Sequence, residues 1–199
     1  DLVIFGATSF VGQILTTYLV EHLGTDGEIS WAIAARSSSK LNQLKESYGE
    51  KAANLPMIIA DSHDEASLQA MCSQARVIVS TVGPYALYGE LLVKTCAETG
   101  TDYTDLTGEA HWIKKMQDKY QQAAQQSGAR IVNCCGFDSI PSDMGIYALQ
   151  QHAMTRFNHA CCVLNWGPKS WWCKKASLPC PTSTNPAFKL GMTFLTRPT

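Results

Sequence analysis

Residues 2–12 read Leu2-Val3-Ile4-Phe5-Gly6-Ala7-Thr8-Ser9-Phe10-Val11-Gly12. A short apolar run ends on one glycine, and a second glycine opens a run with Val11, Leu15, Tyr18, Leu19 and Leu23 on one stripe and Gly24 as its stop. This pattern predicts a strand, a tight turn and a helix. Such a turn lets backbone N–H groups approach a diphosphate whose charge is held at the helix N-terminus. Gly6 would supply the turn and Gly12 the close helix–strand contact, with Thr8, Ser9, Phe10 and Val11 between them at the ligand. Ser9 holds the middle glycine position, so the pattern is G-x-x-S-x-x-G. An ordinary strand–turn–helix connection capped by Ser9 would read the same way.

Working outward, short apolar runs alternate with amphipathic ones. Strands are expected at 2–5, 30–34, 57–60, 76–80, 102–106 and 130–134, most of them near-continuously apolar, as parallel strands covered on both faces are. Between them lie helical patterns at 89–99, with Leu92, Cys96 and the terminator Gly100, and at 110–124, with Ala110, Ile113, Met116, Tyr120 and Ala123 on one stripe before Gly128. Regular alternation of this kind specifies an α/β fold with a doubly wound parallel sheet and right-handed crossovers. The expected division is a dinucleotide-binding Rossmann domain over 1–152, then an incomplete second region over 153–199. Residues 160–199 hold four of the eight cysteines and five of the eight prolines without a clear period, and read as loop-rich.

The end of the second strand bears on which dinucleotide. An acidic residue there would bind the adenosine ribose and repel a 2′-phosphate. The sequence instead runs Ala34-Ala35-Arg36-Ser37-Ser38-Ser39-Lys40. Arg36 can fork a phosphate, with Ser37 and Lys40 adding donors, which favours NADP(H) over NAD(H). The serines would equally cap the helix carrying Leu41 and Leu44. After the third strand, Asp61-Ser62 falls where an adenine would rest, although Asp61 suits a helix cap as well. After the fourth, Thr81-Val82-Gly83-Pro84-Tyr85 forms a rigid turn at the carboxyl edge of the sheet, where ligands of such sheets bind, with Val82, Gly83 and Pro84 placed to touch the nicotinamide ribose.

Composition narrows the class further. The 199 residues carry 16 basic and 17 acidic side chains, a net charge of −1, with no basic patch for nucleic acid. No apolar stretch reaches the roughly 18 residues that span a bilayer. The chain opens directly on a strand-like run, with no charged leader, and lacks an initiator Met, as a fragment would. Adjacent pairs such as Cys134-Cys135 and the absence of any C-x-x-C point to reduced thiols in a cytoplasmic compartment and to no metal site.

Five segments in order, GATSFVG at 6–12, AARSSSKL at 34–41, GPYALYGELLV at 83–93, DYTDLTGE at 102–109 and CCGFDSIPSDMG at 134–145, resemble the saccharopine dehydrogenase-like oxidoreductases. The resemblance is strongest to the trans-acting enoyl reductase branch. It implies an NADP-binding Rossmann domain followed by an α+β domain for substrate binding and homodimer formation. The implied reaction is reduction of a C=C bond in a lipid or polyketide thioester, or chemistry at the C=N bond of an amine joined to an amino acid. The chain departs from the family at Ser9, where GATGFTG is common, and from about Asn158 onward, where the second domain is not recognisable. A non-catalytic NADP(H)-binding module, or an inactive fragment of a larger reductase, is the alternative.

Hydride transfer needs a proton donor beside the nicotinamide. The acid–base candidates near the carboxyl edge are Tyr85, Tyr88, Asp105, Glu109, Asp138 and Ser139, although Asp105 and Glu109 would equally favour the start of the next helix through its dipole. Asp138-Ser139 precedes Pro141 and suits a helix start equally well.

Overall fold

A computed structural model describes residues 1–157. Six strands, β1 (Leu2–Phe5), β2 (Trp31–Ala35), β3 (Met57–Ile59), β4 (Val77–Ser80), β5 (Asp102–Asp105) and β6 (Ile131–Val132), form one parallel sheet in the order β3-β2-β1-β4-β5-β6. Register is continuous across the centre: Ile4 lies between Ile33 of β2 and Val79 of β4. The order reverses between β1 and β4, so the connections leaving these two strands diverge and open a crevice at their carboxyl ends.

Alternation along the strands sorts the core into two layers. Val3, Phe5, Ala32, Ala34, Ile78, Tyr103 and Ile131 face one side, under α3 (Glu65–Cys72), α5 (Glu90–Thr99) and α6 (Ala110–Ser127). Ile4, Ile33 and Ala35 face the other, under α1 (Phe10–His22) and α2 (Ser38–Ser47). Gly100 and Gly128 close α5 and α6 with left-handed φ of 78° and 83°, as their place in the sequence predicts. Cys72 and Cys96 are free thiols in van der Waals and hydrogen-bond contact at 3.6 Å, joining α3 to α5.

Two expectations need correction. The second layer ends at β1 among the described residues, leaving Val77, Val79, Thr104 and Val132 only half-buried, so the β4–β6 half of the sheet is covered on one face rather than two. For the same reason the stripe expected on α1 is only in part its buried face: Leu19 is buried and Leu15 packs on the core, but Val11, Tyr18 and Leu23 are exposed. Gly12, Thr16, Leu19 and Val20 pack inward, while Val11, Ile14 and Tyr18 border the uncovered half-face. Edge strand β3 is likewise exposed at Met57 and Ile59. The 152/153 boundary falls inside α7 (Ile140–Phe157), a single helix. Residues 158–199, including the expected loop-rich tract, lie outside the described residues.

Candidate cofactor site

Between β1 and α1 the chain turns at Gly6, whose φ is 88°. A Cβ there would lie 2.6 Å from Val82 Cγ2 and 2.8 Å from Thr81 Oγ1, so the β4 turn itself excludes a side chain. At Gly12, in the first turn of α1, a Cβ would stand 2.2 Å from the Gly6 carbonyl oxygen, so that position has no room for a side chain. Ser9 has φ −73° and ψ 165°, ordinary extended backbone, so the fold does not require glycine there. Its Oγ accepts the Gly12 N–H at 3.0 Å and meets Thr81 Oγ1 at 3.1 Å. Thr81 directs its own hydroxyl proton to the Gly6 and Phe5 carbonyls, at 2.9 and 3.2 Å, so Ser9 is the donor between the two hydroxyls. Ser9 is therefore both cap and strut, binding the first turn to the fourth.

The backbone N–H groups of Thr8, Phe10 and Val11 have no hydrogen-bond partner among the described residues. They lie at the positive end of α1, the donor set that a diphosphate satisfies. The turn is one wall of a cleft of about 270 Å³, which Gly6, Thr8 and Ser9 share with Arg36, Ser62, Val82, Gly83 and Tyr88. Arg36 is exposed and has no ion-pair or hydrogen-bond partner among the described residues, which leaves its guanidinium available to an anion. Ser37 caps α2 through a long contact from the Lys40 N–H (3.4 Å) and also meets Ser39 Oγ at 3.0 Å. Both this pair and Lys40 flank the cleft without lining it.

Asp61 sits behind the cleft. It is not the cap of α3, a part taken by Asp64, whose side chain accepts the Ala66 N–H. Asp61 instead accepts the His63 N–H at 3.0 Å and faces His63 Nδ1 at 3.2 Å; that backbone bond leads the effects holding its carboxyl below the usual range. The His63 ring meets Tyr88 edge-on, with centroids 5.5 Å apart. This places Tyr88 on the Arg36 and Ser62 side of the cleft.

The proton-donor candidates are separated by the fold. Tyr85 is 5% exposed and gives its hydroxyl to the Ser80 carbonyl at 2.9 Å; burial pushes its phenol up to about 12. Asp138 lines a second, larger hollow of about 590 Å³ on the uncovered half-face, with Val11, Ile14, Tyr18, Val79, Thr104 and Leu106. Ser139 starts α7, its carbonyl accepting the Asp143 N–H. Pro84 is exposed beyond the cleft and Phe10, 81% exposed, stands at the rim.

Thr81, which the sequence offered only as the start of the turn after β4, belongs to the walls of both hollows and so marks where they meet. The structure places Asp105, an acid–base candidate in the sequence, in the interior. This buried carboxylate accepts Tyr103 OH (2.8 Å), Asn133 Nδ2 (2.7 Å) and the N–H groups of Thr107 and Cys134 (both 3.1 Å), while burial raises its pKa. The web joins the loops after β5 and β6 and holds Cys134 at a φ of 61°. Among the described residues no group of His, Cys, Asp and Glu is arranged to hold a metal.

Residues 2–132 match the family described as the saccharopine dehydrogenase NADP binding domain. The chain belongs to that family. Its cofactor is accordingly NADP(H), and the unpaired donors at the head of α1 and the free guanidinium of Arg36 fit a dinucleotide carrying an extra phosphate. The chain is 46% identical over 153 residues to a Mycobacterium tuberculosis protein assigned as a trans-acting enoyl reductase, covering 77% of this chain and 36% of that one. A lipid droplet localized protein of Caenorhabditis elegans is 41% identical over 163 residues, covering 80% of this chain and 38% of its own length. The chain thus spans a little over a third of these relatives. Among solved structures, apo saccharopine dehydrogenase (L-Glu forming) of Saccharomyces cerevisiae shares the fold at a TM-score of 0.59 and 18% identity, over 75% of this chain and 30% of that one.

Proposed function

We propose that this chain is the cofactor-binding part of an NADP(H)-dependent reductase that acts on an apolar substrate, an acyl thioester being the class that fits best. The observation that carries the reading is the meeting of the two hollows at Thr81, one walled by phosphate-binding groups and the other by apolar side chains. In this reading the backbone N–H groups of Thr8, Phe10 and Val11 hold the diphosphate, in the turn that Gly6, Ser9 and Gly12 shape. Arg36, Ser37 and Lys40 take the 2′-phosphate. Asp61 and Ser62 border the adenine side, where Tyr88 supplies an aromatic wall rather than a proton. Val82, Gly83 and Pro84 flank the ribose next to the nicotinamide. When bound, NADPH supplies a hydride for a C=C or C=N bond.

Val11, Ile14, Val79 and Leu106 would give the substrate an apolar bed along the trench, and the Asp138 carboxyl, which also lines it, would give a proton to the atom of that bond that does not take the hydride and regain one from solvent. Tyr85 acts only as a core residue that fixes the β4 turn. The name of the mycobacterial relative supports the C=C arm of the reading, and the apolar trench agrees with it. The whole protein would work in the cytoplasm as a homodimer formed through regions beyond the described residues.

Calorimetric titration of NADPH, followed by loss of nicotinamide absorbance with enoyl thioesters and with imines, tests the proposal. Consumption with enoyl thioesters is the expected result. Binding without consumption of either substrate class would favour a non-catalytic module, and absence of binding would remove the cofactor site itself.

A further inference from the structure

Glu109 occupies the cap position of α6, yet its side chain makes no bond to its own helix. Both of its oxygens reach across to the loop after β4. Oε1 accepts the Tyr85 N–H at 2.7 Å and Oε2 the Ala86 N–H at 2.9 Å. Those two donors open α4 (Tyr85–Tyr88), a single turn too short to hold itself. The Glu109 N–H is in turn tied to Thr107 Oγ1 at 3.1 Å, and Thr107 is buried. The carboxylate is thus anchored on the β5–α6 side and grips the segment 81–88 at Tyr85 and Ala86. The proximal end is already tied by Thr81 to Gly6 and Ser9. Between these two fastenings lie Val82 and Gly83, and after them Tyr88, all three walls of the cofactor cleft.

We propose that Glu109 is a positioning residue for the cofactor: without touching the nucleotide, it fixes the cleft wall formed by Val82, Gly83 and Tyr88. The inference rests on the cleft being the NADP(H) site. It depends on both carboxylate oxygens, because a glutamine of the same shape offers one acceptor and turns an N–H₂ toward the second backbone donor.

The test compares NADPH dissociation constants of the wild type, Glu109→Gln, Glu109→Asp and Arg36→Ala, with amide exchange at Tyr85 and Ala86. Glu109→Gln should weaken NADPH about tenfold, the scale of one charge-assisted hydrogen bond, and release protection at those two amides. Glu109→Asp, which keeps both acceptors on a shorter stem, should recover part of the loss. Wild-type affinity in Glu109→Gln, with Arg36→Ala still weakening NADPH, would overturn the positioning role alone. If Arg36→Ala also leaves NADPH unchanged, the site reading fails instead. Should Glu109→Gln not fold, Thr107→Ala, which removes only the anchor of Glu109, serves in its place: a loss of about threefold is expected, and none would overturn the proposal.

Discussion

In the proposed site, Arg36 is the side chain on which the choice of nucleotide would turn. It stands at the end of β2, exposed and without an internal partner, on the wall of the cleft. Arg36→Ala removes a charge-assisted contact of about 1.5–3 kcal/mol, so NADPH affinity should fall at least about tenfold while NADH affinity hardly changes, as parallel titrations would show. Gly12 is the complementary case, in which a missing side chain carries the function. A Cβ 2.2 Å from the Gly6 carbonyl cannot be absorbed by rotating a flexible neighbour, because the neighbour is backbone. Gly12→Ala should cost about 1–3 kcal/mol of stability, as overpacking does, and abolish NADPH binding; a wild-type urea midpoint would contradict this. Ser9 shows why a departure from the family pattern is harmless to the fold, since its backbone is extended and its hydroxyl is consumed by Gly12 and Thr81.

At the scale of elements, α5 and α6 are joined by apolar packing and by one acidic hub. Glu90 pairs with Lys115 at 3.1 Å and Lys119 at 2.6 Å, and Tyr120 OH donates to it at 3.2 Å. Its bonds from Lys119 and Lys115 draw its carboxyl from 4.5 down to about 2. A carboxyl whose folded pKa is depressed contributes stability above its unfolded pKa and loses it as pH falls through the folded one. The contribution of Glu90 is therefore present above about pH 4.5 and gone near pH 2. Solvent reaches the pair, which holds the effect to under about 1 kcal/mol. Urea midpoints of Glu90→Gln should lie slightly below wild type at pH 6 and coincide with it at pH 2. The turn 81–88 behaves as the other joint between elements, fastened at its start by Thr81 and at Tyr85 and Ala86 by Glu109.

For the molecule as a whole, the notable feature is a parallel sheet with half of one face uncovered among the described residues. Parallel sheets are ordinarily covered on both faces, and here Val79 and Thr104 line an open trench beside Val11, Ile14 and Tyr18 of α1. Phe137, 88% exposed, and Ile140, Met144 and Tyr147 along α7 continue the apolar character. The trench should bind the apolar dye ANS, and Ile14→Ser should reduce that fluorescence while leaving NADPH affinity unchanged, because Ile14 belongs to the trench and not to the cleft. No helix among the described residues is long and apolar enough to cross a membrane.

Local chemistry determined a good deal of this. The alternation of apolar and amphipathic runs specified the parallel sheet, Gly6 and Gly12 specified the first turn, and Gly100 and Gly128 marked helix ends, because each is a property of residues adjacent in the chain. Arg36 was legible for the same reason, lying directly after a strand. What the tertiary structure decided were the meetings between distant segments. Tyr85 and Tyr88 are three positions apart and equivalent on paper, yet one is buried with its hydroxyl on Ser80 and the other walls the cleft. The inward face of α1 was decided by which half of the sheet is covered, a matter of strand order. Thr81, Asp105 and Glu109 acquire their parts only when loops from β1, β4, β5 and β6 converge at one edge, and hydrogen bonds between those loops leave no periodic trace in the sequence.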